Sequence, residues 1–209
     1  MTVCELASLK MSSHGLIARV VMEEKGVSYE RIEIAPDALG GAAYRADHHP
    51  FGKVPSLRHG DVHLYETAAI VRYVDEAFDG PELQPSTAAL RAEMQKWISV
   101  ASHYVYPSMI GGIVLPRIMA QSGGPVADES AVAKATEDAR HQLDVVEARL
   151  SNAEYLAGEV SLADFFLASV VQYLPLTDEG KALMNGHPAT QDWVGRITGR
   201  PSYAAAAWE

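Results

Sequence analysis

The segment from Phe51 to Thr67, FGKVPSLRHGDVHLYET, constrains the fold more than any other part of this chain. Two short apolar runs flank a His-Gly-Asp turn, which is the pattern of a β-hairpin. Pro55 has no N–H to donate, so it begins the first strand at an edge or a bend. Glu66 and Thr67 follow the second strand and open a helix. The segment therefore predicts two paired strands that lead directly into a helix N-terminus.

The same segment has the groups needed to hold an anionic peptide. If the Val54-Pro55 bond is cis, the backbone N–H and C=O of Val54 turn outward, where an extended peptide can pair with them as an added strand. Thr67 lies at a helix N-terminus, which favours a carboxylate, and Glu66 supplies negative charge for an ammonium. On these residues alone, an ordinary hairpin followed by a capped helix is the simpler explanation.

Composition narrows the function classes further. The chain has 209 residues, a formal net charge of −10 and an isoelectric point near 5.2, which argue against nucleic acid and anionic membranes as partners. The sequence starts without a signal-peptide pattern and has no apolar run of about eighteen residues, so we expect no transmembrane helix. The single Cys4 excludes an intramolecular disulfide and fits a reducing cytoplasm. The eight histidines show no metal-ligand spacing, and we expect no metal site.

Periodic patterns divide the first part of the chain into short elements. Their order is β-α-β-(α)-β-β-α, and the Ala-, Gly- and Pro-rich stretch 35–50 is predicted to be a loop with one helical turn. This order over residues 1–78 is the thioredoxin-like α/β arrangement, a mixed four-stranded sheet with helices on both faces. Strands are predicted near 3–8, 27–34, 55–58 and 62–65, and helices near 13–25 and 66–78.

The rest of the chain is helical in character. Residues 79–87 are predicted to be an interdomain linker, and residues 88–209 an all-α domain with a break at 122–125. Ser161 and Asp164 have the spacing of a capping box before FFLASVVQYL, a run apolar enough to be the buried centre of this domain. Two apolar stripes predict its long helices, one formed by Leu90, Met94, Trp97, Ile98, Ala101, Tyr104 and Val105, and the other by Leu143, Val146 and Leu150.

The start of the first helix decides which chemistry a thioredoxin-like domain performs. A redox enzyme carries Cys-x-x-Cys there, whereas this chain has Lys-Met-Ser-Ser-His at residues 10–14. Cys4 lies in the first predicted strand and has no second cysteine to pair with, so disulfide oxidoreduction by the chain's own thiols is excluded. A serine nucleophile is also disfavoured, because no nucleophile-elbow pattern surrounds Ser12.

Three separated motifs resemble the cytosolic glutathione S-transferases and follow the order of that family. The first is Val-Pro-Ser-Leu at 54–57 with Leu-Tyr-Glu-Thr at 64–67. The second is Tyr-Leu-Ala-Gly at 155–158 before Ser-Leu-Ala-Asp at 161–164, one residue closer together than is usual in the family. The third is the ending GRPSYAAAAW, which is similar to the plant-like phi branch. The chain thus resembles a serine-type, phi- or zeta-like, bacterial-style member of the family.

The resemblance implies a catalytic role for a serine hydroxyl. Glutathione brings its own thiol, and a hydroxyl at the helix N-terminus stabilises its thiolate. Ser12 matches the position of this hydroxyl, Ser13 is the alternative, and simple N-capping is the structural explanation for both serines. His14 replaces the cysteine of the zeta, isomerase-type branch, which weakens an isomerase assignment.

The resemblance also implies which residues bind glutathione. Val54 is expected to hold the cysteinyl backbone, Glu66 and Thr67 the γ-glutamyl ammonium and carboxylate, and Lys53 the glycyl carboxylate or the adjacent backbone. Related enzymes usually carry a Lys or His near residue 40, where this chain reads DALGGAAYR. Arg45 and His49 are the candidate substitutes, and we expect a weaker hold on the glycyl end.

The second substrate is expected to be a small hydrophobic electrophile in an apolar pocket. The same site also fits glutathione-dependent isomerisation, reductive dehalogenation, ether cleavage or peroxide reduction. A non-catalytic binding protein on this fold is a further alternative.

The resemblance further implies a cytoplasmic homodimer that acts in detoxification. Candidate pocket residues are Met11, Tyr104, Ile110 and Met119, with Tyr106 and Tyr173 as further candidates, although packing in the core is the simpler explanation for any one of them.

Overall fold

The computed structural model describes residues 3–208 and divides into two compact units. The first unit runs to Leu83 and also includes the segment from Arg200 onward, and the second is Gln84–Gly199. The sequence prediction for 88–209 placed that last segment in the helical domain instead. The boundary between the units falls inside the predicted linker 79–87, directly after Leu83. Leu83 belongs to the first unit because it is buried and donates its N–H to the Asp75 carboxylate at 2.9 Å. Residues 1, 2 and 209 of the predicted domains lie outside the described part of the chain.

A mixed four-stranded sheet forms the centre of the first unit, as the sequence predicts. Its order is β2-β1-β3-β4, in which β1 is parallel to β2 and antiparallel to β3, and β3 is antiparallel to β4. The fully buried Leu6 and Leu57 are partners across β1 and β3, and α1 packs against α3. The elements are β1 Cys4–Ser8, α1 Ser13–Glu24, β2 Tyr29–Glu33, a 3₁₀ turn Pro36–Ala38, α2 Ala42–Asp47, β3 Ser56–His59, β4 Val62–Tyr65 and α3 Thr67–Ala77.

The second unit is built from helices around α7, a helix that is buried along its whole length. The predicted capping box is present, since the Asp164 carboxylate accepts the Ser161 N–H at 2.9 Å and the Ser161 hydroxyl at 3.0 Å. The elements are α4 Ala88–Val100, a π-helical segment Ala101–Val114, α5 Leu115–Gln121, α6 Glu129–Leu150, α7 Leu162–Val171, a 3₁₀ turn Leu174–Leu176, α8 Asp178–Asn185 and α9 Pro188–Thr198.

The π-helical segment corrects the first predicted apolar stripe. Pro107 lacks an N–H within this segment, and the Leu115 N–H donates to the Ile110 carbonyl five residues earlier. This wider turn rotates side chains away from α-helical spacing, so Val105 is buried whereas Tyr104 is 62% exposed. The predicted stripe is therefore buried from Met94 to Ala101 and at Val105, but not at Tyr104, nor at Leu90, which is 37% exposed.

The continuous helical stretch Ala88–Gln121 is long and apolar enough to cross a membrane by length and composition. The sequence prediction excluded such a helix because it counted only uninterrupted apolar runs. Of the most apolar window in this stretch, 44% is buried inside the structure. The π-helical segment packs against α6 and α7 of its own unit, which is how the core helix of a globular domain behaves.

The C-terminal segment joins the first unit through α10, Pro201–Ala206, which packs on α1. Arg31 donates to the carbonyls of Ala205 at 2.6 Å and Ala207 at 2.7 Å, and Arg19 donates to that of Ala206 at 2.8 Å. Charged donors thus bind the backbone of the segment. Its side chains hold it as well, since Ser202, Tyr203 and Ala206 are buried.

Arg200→Leu should lower the free energy of unfolding of the first unit by about 2 kcal/mol. Arg200 forms two 2.7 Å hydrogen bonds to the Glu24 carboxylate, whose side chain is 8% exposed. Burial raises the pKa of Glu24, but hydrogen bonds from Arg200 and Ser202 outweigh it and the net direction is downward. The contribution is therefore present above about pH 4.5 and is lost as the pH falls through the lower, folded pKa.

Urea unfolding of wild type and Arg200→Leu at pH 7 and pH 4 measures this contribution. Arg72→Leu is the matched control, because the Arg72–Glu76 pair at 2.8 Å is exposed on α3 and should change stability by less than about 0.5 kcal/mol. An equal loss of unfolding free energy in the two variants would show that the Arg200–Glu24 pair is no stronger than a surface pair.

Candidate active site

Ser12 caps α1 at one end of the sheet. Its backbone is extended (φ −77°, ψ 120°), and its Oγ accepts the Gly15 N–H at 3.0 Å, as serine does at an N-cap. A Cβ on Gly15 would lie 1.8 Å from the Ser8 Oγ, so only glycine lets β1 and the first turn of α1 approach this closely. Ser12 is half-buried and its hydroxyl hydrogen is not used by the cap, whereas Ser13 is 7% exposed.

The N-terminus of α3 lies beside that of α1. The His14 Nδ1 and the Thr67 Oγ1 are 3.1 Å apart, and Thr67 is buried. Burial lowers the pKa of His14, the Glu66 carboxylate opposes this, and the Lys53 ammonium adds to it. His14 is therefore neutral at pH 7, and its bond connects two helix N-termini whose dipoles both favour an anion.

Glu66 precedes α3 in a strained backbone conformation. Its φ is 72°, a region that side-chain-bearing residues rarely adopt, and its carboxylate is 63% exposed. The His49 Nε2 lies 3.8 Å from the Glu66 Oε1, while the His49 Nδ1 accepts the Phe51 N–H at 3.3 Å. Strain of this kind persists where the surrounding structure enforces it, often at binding sites.

The loop before β3 holds the backbone around Val54 in place. The Val54-Pro55 bond is cis, and the Val54 side chain packs against the small cluster of Ala7, Ile34 and Tyr44. The Tyr44 hydroxyl donates to the Lys53 carbonyl at 2.6 Å, which fixes the chain directly before Val54. The backbone at this position is therefore held from inside the unit.

The charges of this region suit a zwitterionic ligand. Lys53 and Glu66 both act on the imidazoles of His14 and His49, which places all four groups within electrostatic range. Burial lowers the pKa of His49, Glu66 opposes this, and Lys53 and His63 add to it. At pH 7 the region thus combines one ammonium, one carboxylate and two neutral imidazoles with two helix N-termini.

The predicted substitutes for a glycyl-binding residue differ in their surroundings. His49 is buried and directed toward Glu66 and Phe51, so its ring is already engaged within the loop. Arg45 is exposed and donates from Nε to the Gly40 carbonyl at 2.9 Å. Arg45 stays the better-placed prediction, because it is exposed whereas His49 is buried.

The predicted electrophile-pocket residues fall into two groups. Met11 precedes Ser12 and is exposed, and Tyr104 and Met119 of the helical unit are also exposed. Ile110 is 6% exposed, which is the burial of a core residue. Tyr104 lines a groove of about 720 Å³ between the π-helical segment and α6. The pocket itself stays a prediction.

Sequence reasoning missed the contact between His14 and Thr67. The residues are 53 positions apart, and neither spacing nor propensity relates them. Only a weak indication of this contact is present in the sequence. His14 directly follows the two candidate serines at the start of α1, and Thr67 is the first residue of α3, the other helix that carries candidate site residues.

Fold and site together define a thioredoxin-like protein in which a serine stands where redox members carry cysteine. Residues 6–82 match the family described as glutathione S-transferase, N-terminal domain, and residues 100–201 match glutathione S-transferase, C-terminal domain. Glutathione S-transferase F10 of Arabidopsis thaliana is 34% identical over 199 residues, which are 92% of this chain and 88% of that protein. The chain therefore belongs to the glutathione S-transferase family.

Two solved structures share the complete fold. Glutathione transferase F7 from Populus trichocarpa has a TM-score of 0.89 at 28% identity, covering 98% of both chains. Maize glutathione S-transferase I, in complex with an atrazine glutathione conjugate, has a TM-score of 0.84 at 28% identity, covering 98% of this chain and 96% of its own. The family prediction and the two-part fold prediction are thereby confirmed.

Glu66→Gly and Glu66→Ala should differ in stability by about 1 kcal/mol, with the glycine variant the more stable. Both variants lose the carboxylate, but only glycine adopts a φ of 72° without a steric penalty. Chemical denaturation measures the difference. If the alanine variant is as stable as the glycine variant, the backbone at this position is not strained.

Proposed function

We propose that this chain is a glutathione transferase in which the Ser12 hydroxyl stabilises the thiolate of bound glutathione for attack on an electrophilic carbon. The observation that carries the proposal is the Ser12 cap of α1, in a thioredoxin-like unit whose only cysteine is elsewhere. The relatives named above support it, since they are glutathione S-transferases and one holds a glutathione conjugate.

The chemistry follows from thiol ionisation. A free thiol has a pKa near 8.5, so only a few per cent is thiolate at pH 7. The Ser12 Oγ accepts the Gly15 N–H, which polarises the hydroxyl and leaves its hydrogen free to donate to sulfur. A shift of about two pKa units from this hydroxyl corresponds to about 2.7 kcal/mol, and the dipole of α1 adds to it. The thiol proton leaves to solvent and the thiolate sulfur forms the new carbon–sulfur bond. In a substitution the bond to the leaving group breaks and that group departs with its electron pair; in an addition the π bond breaks and its electron pair takes a proton from solvent.

Four further residues are proposed to hold glutathione. Val54 pairs with the cysteinyl backbone through its outward N–H and C=O, and Lys53 meets the glycyl end. Glu66 binds the γ-glutamyl ammonium, and Thr67 binds the γ-glutamyl carboxylate at the N-terminus of α3. The charge pattern of one ammonium and one carboxylate complements a peptide that carries both kinds of group.

Met11, Tyr104 and Met119 are proposed contacts for the electrophile because they are large and exposed, and Ile110 is proposed to support them from the core. We further propose a cytoplasmic homodimer that acts in detoxification, as the family resemblance implies. Light scattering of the purified chain tests the dimer: a mass near twice 22.6 kDa supports it, and a monomer refutes it.

Binding and ionisation of glutathione test the proposed function directly. Calorimetry should show one site per chain, and ultraviolet difference spectra should show the bound thiol ionising below its pKa in solution. Turnover of a panel of electrophiles then identifies the reaction class. If glutathione does not bind, or if the bound thiol ionises no more readily than the free thiol, the proposal fails.

A further inference from the structure

We propose that His14 is a positioning residue, which donates from Nδ1 to the Thr67 hydroxyl and so directs the Thr67 hydrogen toward the γ-glutamyl carboxylate. This inference rests on the proposed function and extends it to a residue with no role in that mechanism. It stands on the 3.1 Å contact between the His14 Nδ1 and the Thr67 Oγ1.

The packing of two helices in the first unit brings His14 and Thr67 into contact. His14 lies in the first turn of α1 and Thr67 is the first residue of α3, two helices that pack against each other. Thr67 is 6% exposed, so its hydroxyl has few directions in which to find another partner. The position of the Thr67 Oγ1 is therefore set by the packing of both helices.

The direction of the hydrogen bond decides what Thr67 offers a ligand. A threonine hydroxyl has one hydrogen and two lone pairs. If that hydrogen points to His14, a carboxylate at the start of α3 meets oxygen lone pairs and gains only the backbone N–H. If His14 donates instead, the hydroxyl and the backbone N–H both point at the carboxylate, and charge-assisted hydrogen bonds of this kind are the strong ones.

The surroundings allow His14 to act in this way as a neutral group. Burial, assisted by Lys53, keeps the imidazole uncharged at pH 7, and a neutral imidazole carries its hydrogen on either nitrogen. A bound carboxylate selects the tautomer with the hydrogen on Nδ1, because that tautomer alone frees the Thr67 hydrogen. His14 thus orders a donor without adding a positive charge that competes with the ligand ammonium for Glu66.

His14→Leu should raise the KM for glutathione about 5- to 10-fold and leave kcat at saturating glutathione within about 2-fold of wild type. His14→Asn should recover most of the affinity, because its side-chain amide N–H can reach the place of Nδ1–H. Thr67→Val should raise KM by more than His14→Leu, and the double variant should match Thr67→Val, since His14 acts through that hydroxyl.

Decarboxylated glutathione, which lacks the γ-glutamyl α-carboxylate, separates a positioning role from a structural one. His14→Leu should leave the affinity for this analogue unchanged. Equal weakening for glutathione and the analogue overturns the inference, as does a KM at the wild-type value or a failure of His14→Asn to recover affinity. If the wild-type chain itself does not bind glutathione, the proposed function fails first, which is a distinguishable result.

Discussion

Ser12→Ala should raise the pKa of the bound glutathione thiol by about two units and lower turnover at pH 7 by about 10- to 25-fold, which is the change in the fraction of ionised thiol. The hydroxyl is the side-chain donor at the start of α1, and its oxygen is already held by the Gly15 N–H. Removing it leaves the helix dipole and the backbone N–H groups, so the remaining activity should exceed that of free glutathione. Spectroscopic titration of bound glutathione and pre-steady-state rates measure both effects.

The pH dependence distinguishes loss of ionisation from loss of binding. Because the variant thiol ionises at a higher pH, its rate should approach that of wild type as the pH rises past about 9, where both thiols are ionised. A rate that stays below that of wild type by the same factor at every pH would mean that Ser12 acts in some way other than lowering the thiol pKa.

Ser13→Ala is the matched control for this experiment. Ser13 is the buried neighbour in the same helical turn, and its replacement should leave the thiol pKa in place. Ser12→Ala also removes an N-cap and should cost about 1 kcal/mol of stability, so thiol titrations belong at a temperature where the variant is fully folded. If Ser13→Ala gives the larger pKa shift, the catalytic assignment moves to Ser13.

Local sequence rules predicted the elements that carry the candidate site residues. Turn chemistry located the hairpin after Pro55, and cap preferences located Ser12 and Thr67 at helix N-termini. The sequence did not predict the bond between His14 and Thr67, because the packing of α1 on α3 brings them together.

Two features of the fold escaped prediction for similar reasons. The segment from Arg200 onward belongs to the first unit because Arg19 and Arg31 bind its carbonyls and Arg200 pairs with Glu24. These partners are distant in the sequence, so no local pattern relates them. Tyr104 left its predicted stripe because hydrogen bonds in π-helical spacing change the residue period. Periodicity assumes regular α-helical geometry and does not report where it fails.

Asp164→Ala should lower the free energy of unfolding of the helical unit by about 4 kcal/mol or more. The Asp164 carboxylate accepts from the Leu156 N–H at 3.1 Å, the Ser161 N–H at 2.9 Å, the Ser161 hydroxyl at 3.0 Å and the Trp193 Nε1–H at 3.0 Å. Asp164, Ser161, Leu156 and Trp193 are fully buried, so alanine leaves four donors without an acceptor and without water. Urea unfolding followed by circular dichroism measures the loss.

Trp193→Phe separates the hydrogen bonds of Asp164 from the packing around it. Phenylalanine keeps most of the buried aromatic surface but removes one of the four donors, and we expect a loss of only a few kcal/mol, smaller than that of Asp164→Ala. Burial raises the pKa of Asp164 and the four donors oppose that rise, so removing the indole donor should raise it further. If Asp164→Ala lowers the free energy of unfolding no more than Trp193→Phe does, then solvent or other groups replace the carboxylate as acceptor. In that case the Asp164 carboxylate does not hold the start of α7.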